Sequence, residues 1–180
     1  MADPWQRKEV IGDCTLYLGD CLEVMSRLGN VDAVLTDPPY GIGESAGRAK
    51  TRTSGLTSKS NGAHRSRVDY GDKDWDDKTA DGAVAHAISL AKHSIIFGGN
   101  YYDLPPSSCW LVWDKLNGET DFADCELAWT NLPKAVRRLQ LLWNGCMRVE
   151  RHIPREHPTQ KPVGVMGWCI KQLPETAQTI

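Results

Sequence analysis

Hydrophobic and polar positions change period several times along this chain, and each change predicts an element. Cys14-Thr15-Leu16-Tyr17-Leu18 reads as a first strand, stopped by Gly19-Asp20. Leu22, Met25 and Leu28 recur at helical spacing and halt at the turn signal Gly29-Asn30. Val31 to Thr36 is a short buried strand, so the chain is expected to open β-α-β. Two parallel strands and a right-handed crossover would follow, with Asp20 and Asp37 at one sheet edge. Ala80, Ala83, Val84, Ala87, Ile88 and Ala91 trace an amphipathic helix, and Ser94-Ile95-Ile96-Phe97 a strand ended by Gly98-Gly99-Asn100. Cys109 to Trp113, Cys125 to Thr130 and Val136 to Trp143 are expected to form an antiparallel portion, with a turn at Asn117-Gly118. Val163, Met166, Ile170 and Leu173 place an apolar stripe on a helix starting at Pro162. The pattern predicts an α/β fold with a mixed sheet, in one domain over 1–180.

The strand at Val31 breaks abruptly at Asp37-Pro38-Pro39-Tyr40-Gly41. Two prolines donate no backbone hydrogen bond and hold the chain extended. A carboxylate is thereby offered at the carboxyl end of a strand, the edge where open α/β sheets bind ligands. Asp37 and the Pro38 carbonyl supply acceptors without a competing donor. That chemistry suits an exocyclic amine, held by its two N–H bonds with its lone pair directed outward. Tyr40 offers a face for a heteroaromatic base, a stack worth about 1–3 kcal/mol. Asp20 allows two readings, a site acid or the N-cap of the helix after it.

Residues 41–75 are rich in Gly, Ser, Thr, Lys and Arg and are expected to form a flexible basic loop. Between Gly43 and Arg67 the one acid is Glu44, against Arg48, Lys50, Arg52, Lys59, Arg65 and Arg67. These cations could settle on phosphates when DNA binds. Gly98-Gly99 lacks the spacing and following helix of a nucleotide loop and is read as a close approach of backbone. Trp110, Trp113 and Trp129 read as core.

A formal charge of −2 does not advertise nucleic acid, so DNA contact would have to come from local patches. Six cysteines lack Cys-x-x-Cys pairs, which argues against zinc and for reduced thiols in a cytoplasmic protein. No apolar run approaches the ~18 residues of a membrane span.

Thr36-Asp37-Pro38-Pro39-Tyr40-Gly41 resembles the catalytic motif of the DNA amino-methyltransferases, which methylate adenine N6 or cytosine N4 with S-adenosylmethionine. His157-Pro158-Thr159-Gln160-Lys161-Pro162-Val163 resembles the segment that precedes that family's donor-binding strand. The order, tip first, is similar to the permuted beta subgroup, and Phe122 to Trp129 resembles phage-type members of the kind found in restriction–modification settings.

The resemblance implies a Rossmann-like methyltransferase fold and S-adenosylmethionine as methyl donor, with double-stranded DNA as partner and no metal. It assigns catalysis to Asp37, Pro38, Pro39 and Tyr40, and donor contact to Asp20, His157, Pro158, Thr159, Gln160, Lys161 and Pro162. The helix start at Pro162 would offer free N–H groups to the donor's carboxylate. Asp before Pro-Pro-Tyr favours adenine N6; alternatives are cytosine N4, an inactive truncated DNA-binding remnant, or a methyltransferase for RNA or protein. Residues 157–173 would form the donor-side motif and helix. In the family a strand and a glycine-rich Asp-Pro-Phe turn come next; nothing in 174–180 matches it, so the fold is expected to be incomplete at its C-terminal side.

Overall fold

The first two strands, β1 (Trp5–Ile11) and β2 (Cys14–Gly19), fold onto each other through a tight turn at Gly12, whose φ of +58° suits glycine. In this computed structural model, which describes residues 3–43, 76–118, 123–144, 147–154, 157 and 159–180, they form a separate antiparallel ribbon. Trp5 packs on Tyr17 with ring centroids 4.8 Å apart, and the Lys8 ammonium lies over both rings. This overturns the expected β-α-β opening. Cys14–Gly19 is already paired with a strand that the sequence reading left out, although Gly12-Asp13 between two alternating runs is a hairpin signal.

The five-residue helix α1 (Cys21–Met25) follows, and then β3 (Val31–Thr36). Next come α2 (Asp81–Leu90), β4 (Ala91–Phe97), a single 3₁₀ turn at Gly99–Tyr101, β5 (Trp110–Asp114), β6 (Cys125–Thr130) and β7 (Arg137–Gln140). A small ribbon, β8 (Trp143–Asn144) with β9 (Met147–Arg148), precedes the last helix, α3 (Val163–Ile170).

Strands β3 to β7 make one five-stranded mixed sheet in the order β3-β4-β6-β5-β7. The β-α-β unit is therefore realised one element later than expected, as β3-α2-β4, with Val34 beside Ser94 in parallel register. β6 runs antiparallel to both β4 and β5, as expected for the hairpin. β7 pairs parallel to β5, which corrects the antiparallel expectation. It reverses direction after β6 as a hairpin partner would. Both edges of β6 are already taken, so it joins β5, which runs the same way. The carboxyl ends of β3, β4, β5 and β7 and the amino end of β6 thus share one rim.

The core lies where the sheet meets α3: Ala33, Ile95, Phe97, Leu111, Trp113, Ala128, Val165 and Cys169 are all buried. The stripe predicted for α3 is found in part. Leu173 is buried and Met166 packs on the core as expected, but Val163 and Ile170 are exposed, and Val165 and Cys169 face inward in their place. Burial pushes the Cys169 thiol up to about 12, as befits an inert core cysteine. Trp113 and Trp129 are core, as read from the sequence; each indole N–H donates to a carbonyl, of Leu141 and Pro105. Among the described residues no helix is long and apolar enough to cross a membrane.

Candidate active site at the carboxyl rim

Asp37 follows β3 directly and stands at this shared rim. Its Oδ1 accepts a 2.6 Å hydrogen bond from the Tyr40 hydroxyl, and its Oδ2 lies 2.6 Å from Lys161 Nζ. Lys161 comes from 124 residues further along the chain, so the two stretches that the sequence reading singled out meet in one ion pair. Lys161 Nζ also lies 3.1 Å from Glu126 Oε2, an ion-pair approach, since no described residue makes a hydrogen bond to that oxygen. Glu126 Oε1 is 2.5 Å from Lys115 Nζ. Acid and base thus alternate along the rim, Asp37–Lys161–Glu126–Lys115.

The topology explains this meeting. Glu126 is at the amino end of β6 and Lys115 just past the carboxyl end of β5, with Trp113 and Glu126 in register. Burial opposes charge on Glu126, but Lys161 and Lys115 together outweigh it and hold its carboxyl below the ordinary value. The Lys161 ammonium also sits over the Phe97 and Tyr40 rings, at 5.2 and 5.7 Å from their centroids.

The tip itself is clamped. Tyr102 donates its hydroxyl to the Pro39 carbonyl, and the Gly41 amide donates to the buried Asp76 carboxylate at 2.9 Å. Tyr40 bridges to Thr79. Among the described residues nothing donates to the Pro38 carbonyl. The Asp37 carboxylate and the Pro38 carbonyl are thus fixed acceptors side by side at the rim. Burial first, then the Asp37 and Glu126 charges, push the Tyr40 hydroxyl far above its ordinary value, so it stays a donor.

Tyr40 does not present a bare face. Its ring stacks on Tyr101, centroids 5.0 Å apart and planes 16° from parallel. Beside it runs Gly98, at φ +66°, where a Cβ would fall 2.1 Å from the ring. The expected close backbone approach at the glycine pair is found here, with the Tyr40 ring as what it approaches.

The donor-side residues are placed differently from expectation. Asp20 is not brought to the Asp37 edge by strand pairing; its carboxylate caps α1, accepting from the amides of Leu22 and Glu23 at 2.9 and 3.2 Å. His157 and Thr159 bond to each other, and Gln160 donates to Pro154 O. Pro162 is the N-cap of α3, but the helix start is not free: Glu150 accepts from the amides of Val163 and Gly164 at 2.9 and 2.7 Å. Lys161 faces the acids of the rim. Among the described residues the start of α3 thus offers no free Val163 or Gly164 amide to a donor's carboxylate. Pro158 and the basic set Arg48, Lys50, Arg52, Lys59, Arg65 and Arg67 lie outside the described residues. Among those described, no three His, Cys, Asp or Glu side chains gather as a metal site would need.

An open groove of about 380 Å³ lies at the opposite rim, past the end of β6, lined by Ile88, Pro105, Trp129 and Asn131 among others. It touches none of the rim charges. Sequence reasoning missed Glu126, Lys115 and Tyr101. Glu126 had a usable signal, an acid at the first turn-side position of a strand otherwise apolar; the others had none.

No protein-family model matches the chain, and neither a curated protein nor a solved structure does.

Proposed function

We propose that this chain is a DNA amino-methyltransferase of Rossmann-like fold acting on adenine N6. The observation that carries the reading is the Asp37–Lys161 contact, which unites the two resembling motifs at the ligand-binding rim of the sheet. An adenine inside a duplex is out of reach, so the target nucleotide would be extruded, at a cost of a few kcal/mol. One N6–H would then be accepted by Asp37 and the other by the Pro38 carbonyl. Both acceptors draw the amine toward a pyramidal nitrogen, whose lone pair becomes available to an electrophile. Lys161 and the Tyr40 hydroxyl hold Asp37 in place during that change. The cations between Arg48 and Arg67 would supply phosphate contacts. The setting would be cytoplasmic.

S-adenosylmethionine would supply an electrophilic methyl group, although Glu150 already occupies the start of α3 where its carboxylate would dock. That occupancy favours one second reading: a DNA-binding remnant without transfer.

Methyl incorporation into duplex DNA, with RNA and protein offered in parallel, tests both. The first reading expects incorporation into DNA alone, and Asp37→Ala should lower it about a hundredfold to a thousandfold while DNA retention barely changes. Retention of DNA with no incorporation by the unaltered chain would select the remnant. Undiminished transfer by Asp37→Ala would remove the acid from the mechanism.

A further inference from the structure

Tyr40 and Asp37 are joined by the phenol–carboxylate hydrogen bond, so a ring whose amine reaches Asp37 must lie in the layer directly on Tyr40. That layer is taken. Tyr101 fills it, nearly parallel and 5.0 Å away, and Gly98 closes on the same ring with no space for even a methyl group. A purine stacked on the outer face of Tyr101 would be separated from the Tyr40 ring by Tyr101 itself.

Two groups could yield the place. Lys161 is held by two carboxylates, and its side chain is only 9% exposed. Tyr101 is 44% exposed and ends a single 3₁₀ turn, entered through the left-handed Gly98. Two backbone bonds secure that turn, from the Tyr101 amide to the Gly98 carbonyl at 2.9 Å and from the Tyr102 amide to the Gly99 carbonyl at 3.5 Å, and neither fixes the Tyr101 ring. Tyr101 is thus the part that can swing into solvent at little cost, and the rim charges can stay.

We infer that Tyr101 is a placeholder for the target base: its ring occupies the base slot on Tyr40 in the free protein and leaves when a purine enters. This rests on the proposed reading of the rim as a nucleobase site. Tyr101 is a positioning residue that keeps the slot open and dry and competes with the base. Weakly stacking ligands would be refused, because each must replace an existing aromatic pair.

The test uses the full chain and adenosine, a purine riboside that carries the N6 amine, with binding read by calorimetric titration. Tyr101→Ala should bind the riboside about twofold to tenfold more tightly, the range that removal of one aromatic stack corresponds to. Tyr101→Trp, with a larger ring on Tyr40, should bind it more weakly than the unaltered chain. The thermal midpoints of both variants should stay near that of the parent, which a structural role would not permit together with affinities moving in opposite directions. Equal or weaker binding by Tyr101→Ala would overturn the placeholder role while purine binding by the parent still upheld the base site. Absence of purine binding by all three proteins would overturn both.

Discussion

Asp32 and Asp37 occupy opposite ends of one strand, β3, and they are held in opposite ways. Asp32 accepts from the backbone amides of Gln178 and Thr179, both at 3.1 Å, from the Thr179 hydroxyl at 3.0 Å and from Lys92 at 2.9 Å. Lys92 first and these amides next hold its carboxyl far below the usual range. Among the described residues Asp37 accepts only from side chains, Tyr40 and Lys161, and two prolines follow it. Backbone amides cannot turn away, so Asp32 is a staple that fastens residues 178–179 to the sheet. A phenol and an ammonium occupy one lone pair on each carboxylate oxygen, so Asp37 can still accept from an incoming N–H. The residue type is the same; the donors separate structure from chemistry.

The contrast can be broken most forcefully at Lys161. Lys161→Met leaves Asp37 and Glu126 facing each other without the shared cation in a largely buried place. Removing one partner of such a pair should cost about 3 kcal/mol or more in urea unfolding. A loss within error of zero would mean that the rim charges are solvated and that the contrast with Asp32 is false.

Acid sharpens it next. The folded Glu126 carboxyl lies below its ordinary 4.5, so the unfolded chain binds the proton first as pH falls. Its contribution is therefore complete above pH 4.5 and is lost as pH drops through the depressed folded value. Urea midpoints should fall with pH below about 4.5, and Glu126→Gln should flatten that slope. A slope of opposite sign would show that burial, and not the two lysines, governs this acid.

The smallest effect is expected at the other end of the strand. Asp32→Asn should lower the global midpoint less than Lys161→Met does, because an asparagine oxygen can still accept from the Gln178 and Thr179 amides, yet speed hydrogen exchange at those amides. If the midpoint instead fell as far as in Lys161→Met, the division between staple and site would fail.

How much of this was legible beforehand follows the range of each interaction. The strand at Val31, its arrest at Asp37, α2, the β5–β6 hairpin, the start of α3 and the burial of Trp113 and Trp129 were all readable, because period, turn chemistry and side-chain size act locally. The ribbon partner of Cys14–Gly19 was missed, and with it the position of Asp20. The parallel pairing of β7 was missed because parity tells which way a side chain points, not which strand lies beside it. The stripe on α3 was readable at Met166 and Leu173 and not at Val163 and Ile170, since a helix with apolar residues at nearly every position has no single face in its sequence. Glu150 on the start of α3 and Tyr101 on Tyr40 depend on loop paths that no spacing encodes.

The sequence by itself determined that an acid would stand at a strand's end in a rigid, donor-poor setting, because covalent geometry removes the N–H groups of Pro38 and Pro39 and restricts their φ. Only the tertiary structure decided what faces that acid. Strand order brought Glu126 and Lys115 to its rim, and the fold of the last helix brought Lys161 across 124 residues to meet it. Contacts at that distance arise from which surfaces can be buried together, a property of the whole packed chain and of no segment alone.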